Sequence, residues 1–126
     1  MITVLPVREK DRLFALYKEA EEPLPPNAGA VVASDGDMQL GYCLYTLDEE
    51  KISIGRLEPA GDASLADGIL RAALHVAVTK GLMRAVYNDR APEMLLKRLG
   101  FIENDEKRAL RLEKLFSTCQ NCAETP

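Results

Sequence analysis

The stretch that most constrains this chain is LADGILRAALHVAVTK, residues 65–80. Ala and Leu dominate it, and both are strong helix formers. Its polar residues Asp67, Arg71, His75 and Thr79 recur at every fourth position. That spacing places them on one narrow stripe of a helix and leaves the rest of the surface apolar. Such a helix is buried on most sides. Gly81 follows where a left-handed residue closes a helix. KISIGRL (51–57) precedes it and LMRAVYN (82–88) follows it, both strand-like. Strand, buried helix and strand form a crossover unit with parallel strands and a right-handed connection.

The remaining segments arrange themselves around that unit. ITVLP (2–6) reads as a first strand. REKDRLFALYKEAEE (8–22) reads as an amphipathic helix, with Leu13, Phe14, Leu16, Tyr17 and Ala20 at helical spacing. The prolines of PLPPN (23–27) end it. Residues 31–34, 39–47 and 51–57 form a meander, joined by the polar turns SDGD and DEE. APEMLLKRLG (91–100) is a short helix, with Pro92 in its first turn and Gly100 at its end. FIEN and ALRLEKLF close the pattern as two strands around the charged turn DEKR. The expected fold is α+β: a mixed, mostly antiparallel sheet of six to seven strands, flanked by about three helices. At 126 residues, with 47% apolar and 29% charged, the chain suits one globular domain. That domain is expected over 1–117, with a polar tail over 118–126.

Charge and cysteine usage narrow the partners. The formal net charge is −4, so no basic excess is available to neutralise a nucleic-acid backbone. No apolar run is long enough to span a bilayer, and the first residues lack the pattern of a signal peptide. The expectation is a cytoplasmic protein that binds neither nucleic acid nor membrane. Three cysteines, an odd number, argue against a secreted disulfide framework. Cys43 reads as a buried strand residue. Cys119 and Cys122 form a C-x-x-C near the end, but a structural zinc needs four ligands and only Cys43 and His75 remain to complete it. No metal site is assigned.

Ligands of α/β sheets gather at the carboxyl ends of strands, where neighbouring strands diverge. Here those places are the segment after Leu57 and the strand end at Asn88. The first reads EPAGDASLADGIL, residues 58–70, with two Gly, one Pro, two Asp and one Ser. Asp62 or Ser64 could cap the helix that follows, and a capped N-terminus can also hold an anion. Glu58 is a strand-end carboxylate. Asn88 suits a turn or a ligand contact. Tyr42 and Tyr45 lie three apart in a strand, so they face opposite sides.

Residues 52–101 resemble the GCN5-related N-acetyltransferase (GNAT) superfamily. Leu57 and Pro59 match its strand end of the type L-x-V-x-P. Gly68 matches the last glycine of its Q/R-x-x-G-x-G/A turn. VYNDRA matches the segment that leads to an Asn, and Leu99, Gly100 and Phe101 match L-G-F. The resemblance implies an acetyl-CoA site and transfer of acetyl to a small-molecule or peptide amine by direct attack. It implies that the pyrophosphate rests on the backbone of Leu65, Ala66, Asp67, Gly68 and Ile69. The pantetheine would lie between the strands ending at Leu57 and Asn88. Glu58 would be the base, and Tyr87 or Tyr45 the nearest substitute for the proton donor to the thiolate. The chain also departs from the pattern. Ala63 stands for the leading Gln or Arg, and Ala66 for a glycine. Leu96 stands where the usual thiolate-protonating Tyr would be, and Asp62 and Asp67 add carboxylates to the turn. These departures keep open a binding module with the same fold and no efficient catalysis, for CoA, a small metabolite or a protein partner, and a homodimer is compatible with the exposed sheet edges.

Overall fold

A strand buried on both faces needs a helix on each side, and the middle strands of this chain have both. The computed structural model describes residues 1–115. The elements run β1 (Ile2–Pro6), α1 (Lys10–Glu19), β2 (Ala28–Asp35), β3 (Met38–Leu47), β4 (Lys51–Glu58), α2 (Ala63–Thr79), β5 (Arg84–Tyr87), α3 (Glu93–Arg98), β6 (Ile102–Asn104) and β7 (Ala109–Leu110). They build a seven-stranded sheet in the order β1-β2-β3-β4-β5-β7-β6. Only β4 and β5 run parallel, joined through α2 as the apolar helix requires. No helix among the described residues is long and apolar enough to cross a membrane.

Alternation along β2 and β3 sorts the core into two clusters. Ala30, Val32, Tyr42 and Leu44 face α1 and pack on Leu16, Tyr17 and Ala20. Val31, Ala33, Cys43 and Tyr45 face the other way, toward α2. Tyr42 and Tyr45 thus part to opposite faces, as their spacing requires. On α2, Ala66, Ile69, Leu70, Ala73, Leu74 and Ala77 are fully buried. Their spacing of three and four makes one continuous apolar face.

β4 breaks its own alternation. Tyr45 pairs with Ile54 and Cys43 with Leu57, so Leu44 alone opposes Gly55 and Arg56. This is a β-bulge, with one extra residue on β4. It keeps Ile52, Ile54 and Leu57 in one core although the last interval is three residues. Without the bulge, Leu57 would turn to the α1 face. Gly41 supports the same region. A methyl group there would run into the Glu58 carbonyl oxygen and approach within 2.8 Å of Ile69 Cδ1.

Two segments differ from the sequence reading. The helix expected over 8–22 ends at Glu19, and Glu21 takes a left-handed φ of 58°. The chain has therefore left the helix before Pro23 is reached. The strand expected over 109–116 is only Ala109–Leu110, followed by a turn at 112–113 and helical backbone at Lys114 and Leu115. Leu112 and Leu115 pack on the core, and the Lys114 carbonyl accepts from Arg71 at 2.9 Å. Packing on the core beside Arg71, in the middle of α2, replaces a continued strand. Cys119, Cys122 and the boundary at 117 lie outside the described residues.

Two outcomes are expected. Gly41→Ala should lower the unfolding free energy by about 1–3 kcal/mol, because the blocking atoms include rigid backbone. A urea titration with an unchanged midpoint would show that β3 and the end of β4 can move apart. Separately, burial pushes the Cys43 thiol up to about 12. The folded chain then holds a proton that the unfolded chain releases from about pH 8.5. This contribution is complete below that pH and is lost as pH rises toward the folded value. Cys43→Ala should flatten the fall of stability between about pH 9 and 11, by up to about 1.4 kcal/mol per pH unit.

Candidate active site

The parallel pairing of β4 and β5 is short. It runs from Lys51 opposite Arg84 to Ile54 opposite Tyr87. The Asn88 N–H donates to the Ile54 carbonyl at 2.9 Å, and there the strands separate. β4 continues to Glu58 along β3 alone, while β5 enters a turn. In that turn the Asn88 Oδ1 accepts from the Arg90 N–H at 2.8 Å, and its carbonyl accepts from the Ala91 N–H at 3.2 Å. A wedge opens between the carboxyl ends of two parallel strands, and the β5-facing backbone of β4 is unpaired within it. The Asn88 carboxamide lies over Gly55, where a Cβ would sit 3.2 Å from Nδ2 and 3.3 Å from the Leu44 carbonyl oxygen. Gly55 was not singled out from the sequence. The break in alternation through I-S-I-G-R-L was the available signal.

On the α1 face of the wedge stand Arg56 and Glu58. Arg56 Nη2 donates to Glu58 Oε2 at 3.1 Å, with both side chains partly exposed. Arg56 Nε is buried without a hydrogen-bond partner. Tyr42, directly across from Glu58 in the register, is buried beside them. Burial raises its phenol pKa first, and Glu58 and Glu19 add to the shift against the pull of Arg56. Glu22, after α1, is largely buried and lies 3.9 Å from Arg90, after β5.

On the opposite face stands Tyr87. It is buried, and its hydroxyl donates to Glu93 Oε2 at 2.9 Å. Burial first, and Glu93 second, raise its pKa, so the phenol keeps its proton. Leu96 is fully buried in the core. Glu58 and Tyr87 therefore flank the wedge from opposite faces and do not touch.

The start of α2 completes the site. Asp62 is the cap: its Oδ1 accepts from the Leu65 N–H at 3.1 Å, and its carbonyl from the Ala66 N–H at 2.9 Å. The N–H groups of Ala63 and Ser64 have no partner among the described residues. They and the helix dipole favour an anion there. The residues named from the turn are spread around α2. Ala66 and Ile69 are fully buried, and Leu57 packs in the same core. Leu65 is partly covered, while Gly68 is exposed with open space about it. Asp67 lies in the second turn, its carboxylate held by Arg71 Nε at 2.9 Å. Arg71 also reaches the Lys114 carbonyl and lies over the Phe101 ring, 5.3 Å from its centroid. The charge of Asp67 is offset by Arg71, so the acid that matters at the helix start is Asp62.

No protein-family model matches the chain, and no curated protein matches it. Solved structures do resemble it. A ribosomal-protein-S18-alanine N-acetyltransferase from Escherichia coli superposes with a TM-score of 0.58 at 11% identity, covering 86% of this chain and 88% of that one. The AtaT toxin, in a mutant form bound to the C-terminus of the antitoxin AtaR, gives 0.55 at 14% identity, over 94% and 96% of the two chains. A protein from Desulfovibrio desulfuricans, described as an acetyltransferase of the GNAT family, gives 0.52 at 12% identity, over 69% and 72%.

Because Asp62 caps α2, Asp62→Ala should lower stability by about 1 kcal/mol, whereas Asp62→Asn should nearly preserve it. Thermal unfolding of the two variants checks this. Equal loss in both would show that the carboxylate's charge, and not its hydrogen bond, holds the helix start.

Proposed function

From its fold, which is that of the GNAT acetyltransferases, we propose that this divergent chain transfers an acyl group from acetyl-CoA to an amine at the β4/β5 wedge. The observation that carries the reading is the parting of β4 from β5 at Ile54 and Asn88, beside the N-terminus of α2. Unpaired β4 backbone in the wedge suits the amides of a pantetheine arm. The two partnerless N–H groups at Ala63 and Ser64 suit the pyrophosphate. Leu65, Gly68 and Asp67 border that position, while Leu57, Ala66 and Ile69 support it from beneath. Asn88 lies at the base of the wedge.

The chemistry follows from the two faces. The acceptor, a small-molecule or peptide amine, approaches from the α1 side, where Glu58 stands. Its nitrogen attacks the thioester carbonyl carbon, a C–N bond forms and the C–S bond breaks. Glu58 takes the proton from nitrogen. Arg56, paired with Glu58, holds the carboxylate in place. The departing thiolate takes a proton from Tyr87, which burial keeps protonated, and Glu93 orients that hydroxyl. A second reading, acyl-CoA binding without efficient turnover, is favoured by Leu96, which offers no acid, and by Asp62, whose carboxylate occupies the Leu65 N–H that a phosphate would otherwise use.

Calorimetry with CoA and acetyl-CoA tests the common ground of both readings. Ligand at 100 times its Kd should add about 2.7 kcal/mol of stability. No heat and no thermal shift at millimolar CoA would remove both. Asp62→Asn should tighten CoA binding about two- to fivefold, the size of an exposed charge contact. Glu58→Gln should leave CoA binding unchanged and slow acyl transfer to an accepted amine by about 100-fold or more. Binding without transfer to any amine in the wild-type chain selects the second reading.

A further inference from the structure

α2 borders a second recess, about 20 Å along its axis from the proposed CoA cradle. A groove of about 670 Å3 lies between β1 and the C-terminal half of α2. Val4, Val7, Ala72 and Val76 make its apolar walls. Tyr45 closes one side. The polar groups of the rim are Arg8, His75, Thr79 and Lys80. His75 Nδ1 and Thr79 Oγ1 lie 3.3 Å apart.

The charge pattern is what makes the groove specific. The chain carries 20 acidic residues against 16 basic ones, yet among the described residues no carboxylate lines this recess. Neither Arg8 nor Lys80 has an ion-pair partner among the described residues. Lys10, Arg12, Lys18, Lys97, Arg98 and Lys107 share that state, so what sets this recess apart is that two such cations border an apolar groove with no acid in its described lining. Two unmatched cations at the mouth of an apolar groove are complementary to an anionic head on an apolar chain. Lys80 follows the last turn of α2, so part of its charge is offset by the negative end of the helix dipole. Arg8, on the linker after β1, has no such partner and is the stronger anchor.

We propose that this groove binds an amphipathic carboxylate: the aliphatic chain lies against Val4, Val7, Ala72 and Val76, and the head meets Arg8 with help from Lys80. The site is independent of the CoA cradle and its occupancy does not need acyl transfer. It uses the half of the polar stripe that Asp67 and Arg71 leave free.

Decanoate is the probe, with decanol and acetate as its uncharged and chainless counterparts. Amide chemical shifts on the full chain should move at Val7, Arg8, Tyr45 and along 72–80, and not at Ala63 or Asn88. Arg8→Glu should weaken decanoate binding by about tenfold or more, and Lys80→Glu by less. Decanol and acetate should each bind at least about tenfold more weakly than decanoate. Both substituted side chains are exposed, and thermal unfolding confirms that the variants fold. The proposal is overturned if millimolar decanoate does not bind, if its shifts map elsewhere, if both charge reversals leave its affinity unchanged, or if decanol binds as tightly. CoA binding is read separately, so failure here leaves the acyltransfer reading untouched.

Discussion

The hydrogen bond from the Asn88 N–H to the Ile54 carbonyl is the last rung between the two parallel strands, and the rest of the site depends on where it falls. Below it, β4 and β5 share a ladder over the buried side of α2. Above it, β4 has no paired strand on that edge among the described residues. A paired sheet has no room for a ligand between its strands, so early parting is what creates space at the carboxyl ends. The bulge at Gly55 and Arg56 accompanies the change. It lets Leu57 stay in the core while Arg56 and Glu58 emerge together on the α1 face. Gly55 is needed at the same point, because the Asn88 carboxamide and the Leu44 carbonyl already fill the space of a side chain.

Charge in the site is arranged around the two ends of α2. Four N–H groups at a helix start have no intrahelical partner. Asp62 takes the Leu65 N–H with its side chain and the Ala66 N–H with its carbonyl, which leaves those of Ala63 and Ser64. The carboxylate is both a stabilising cap and a like charge for any phosphate, so helix stability and anion affinity pull in opposite directions at one residue. Asp67 is removed from this conflict by Arg71, whose guanidinium also fastens the segment at Lys114 and stacks on Phe101. One polar stripe on a buried helix thus divides into a structural half and a half that faces the β1 groove.

The faces of the sheet divide the chemistry as well. Glu58 lies on the α1 face beside Arg56 and Tyr42, while Tyr87 looks toward α3 and is held by Glu93. A carboxylate on one side and a protonated phenol on the other suit a reaction in which a proton leaves on one face of the scissile bond and is supplied on the other. Neither Glu93 as the partner of Tyr87 nor Arg56 as the partner of Glu58 could be read from the sequence, since a charged residue at a helix start or strand end is ordinary. Only their distances to Tyr87 and Glu58 give them roles.

The sequence by itself determined the crossover. The four-residue spacing of Asp67, Arg71, His75 and Thr79 compels a buried helix, and the strand-like runs beside it compel a parallel pair. The meander, the two-sided sheet and the opposite faces of Tyr42 and Tyr45 follow from local periodicity, which acts over a few residues and can be read there. Tertiary structure decided the rest, because it depends on which distant atoms meet. The register of β4 on β3 placed the bulge. The competition between Asp62 and Ser64 for the cap was settled by geometry at the helix start. The segment after Leu110 turned onto the core because Arg71 and the apolar cluster offered more than an extended sheet edge. Strand parting at Ile54 belongs to the same class: no residue type announces it, and it exists only as a relation between two strands whose paired residues lie 33 positions apart, as Ile54 and Tyr87 do (87 − 54 = 33).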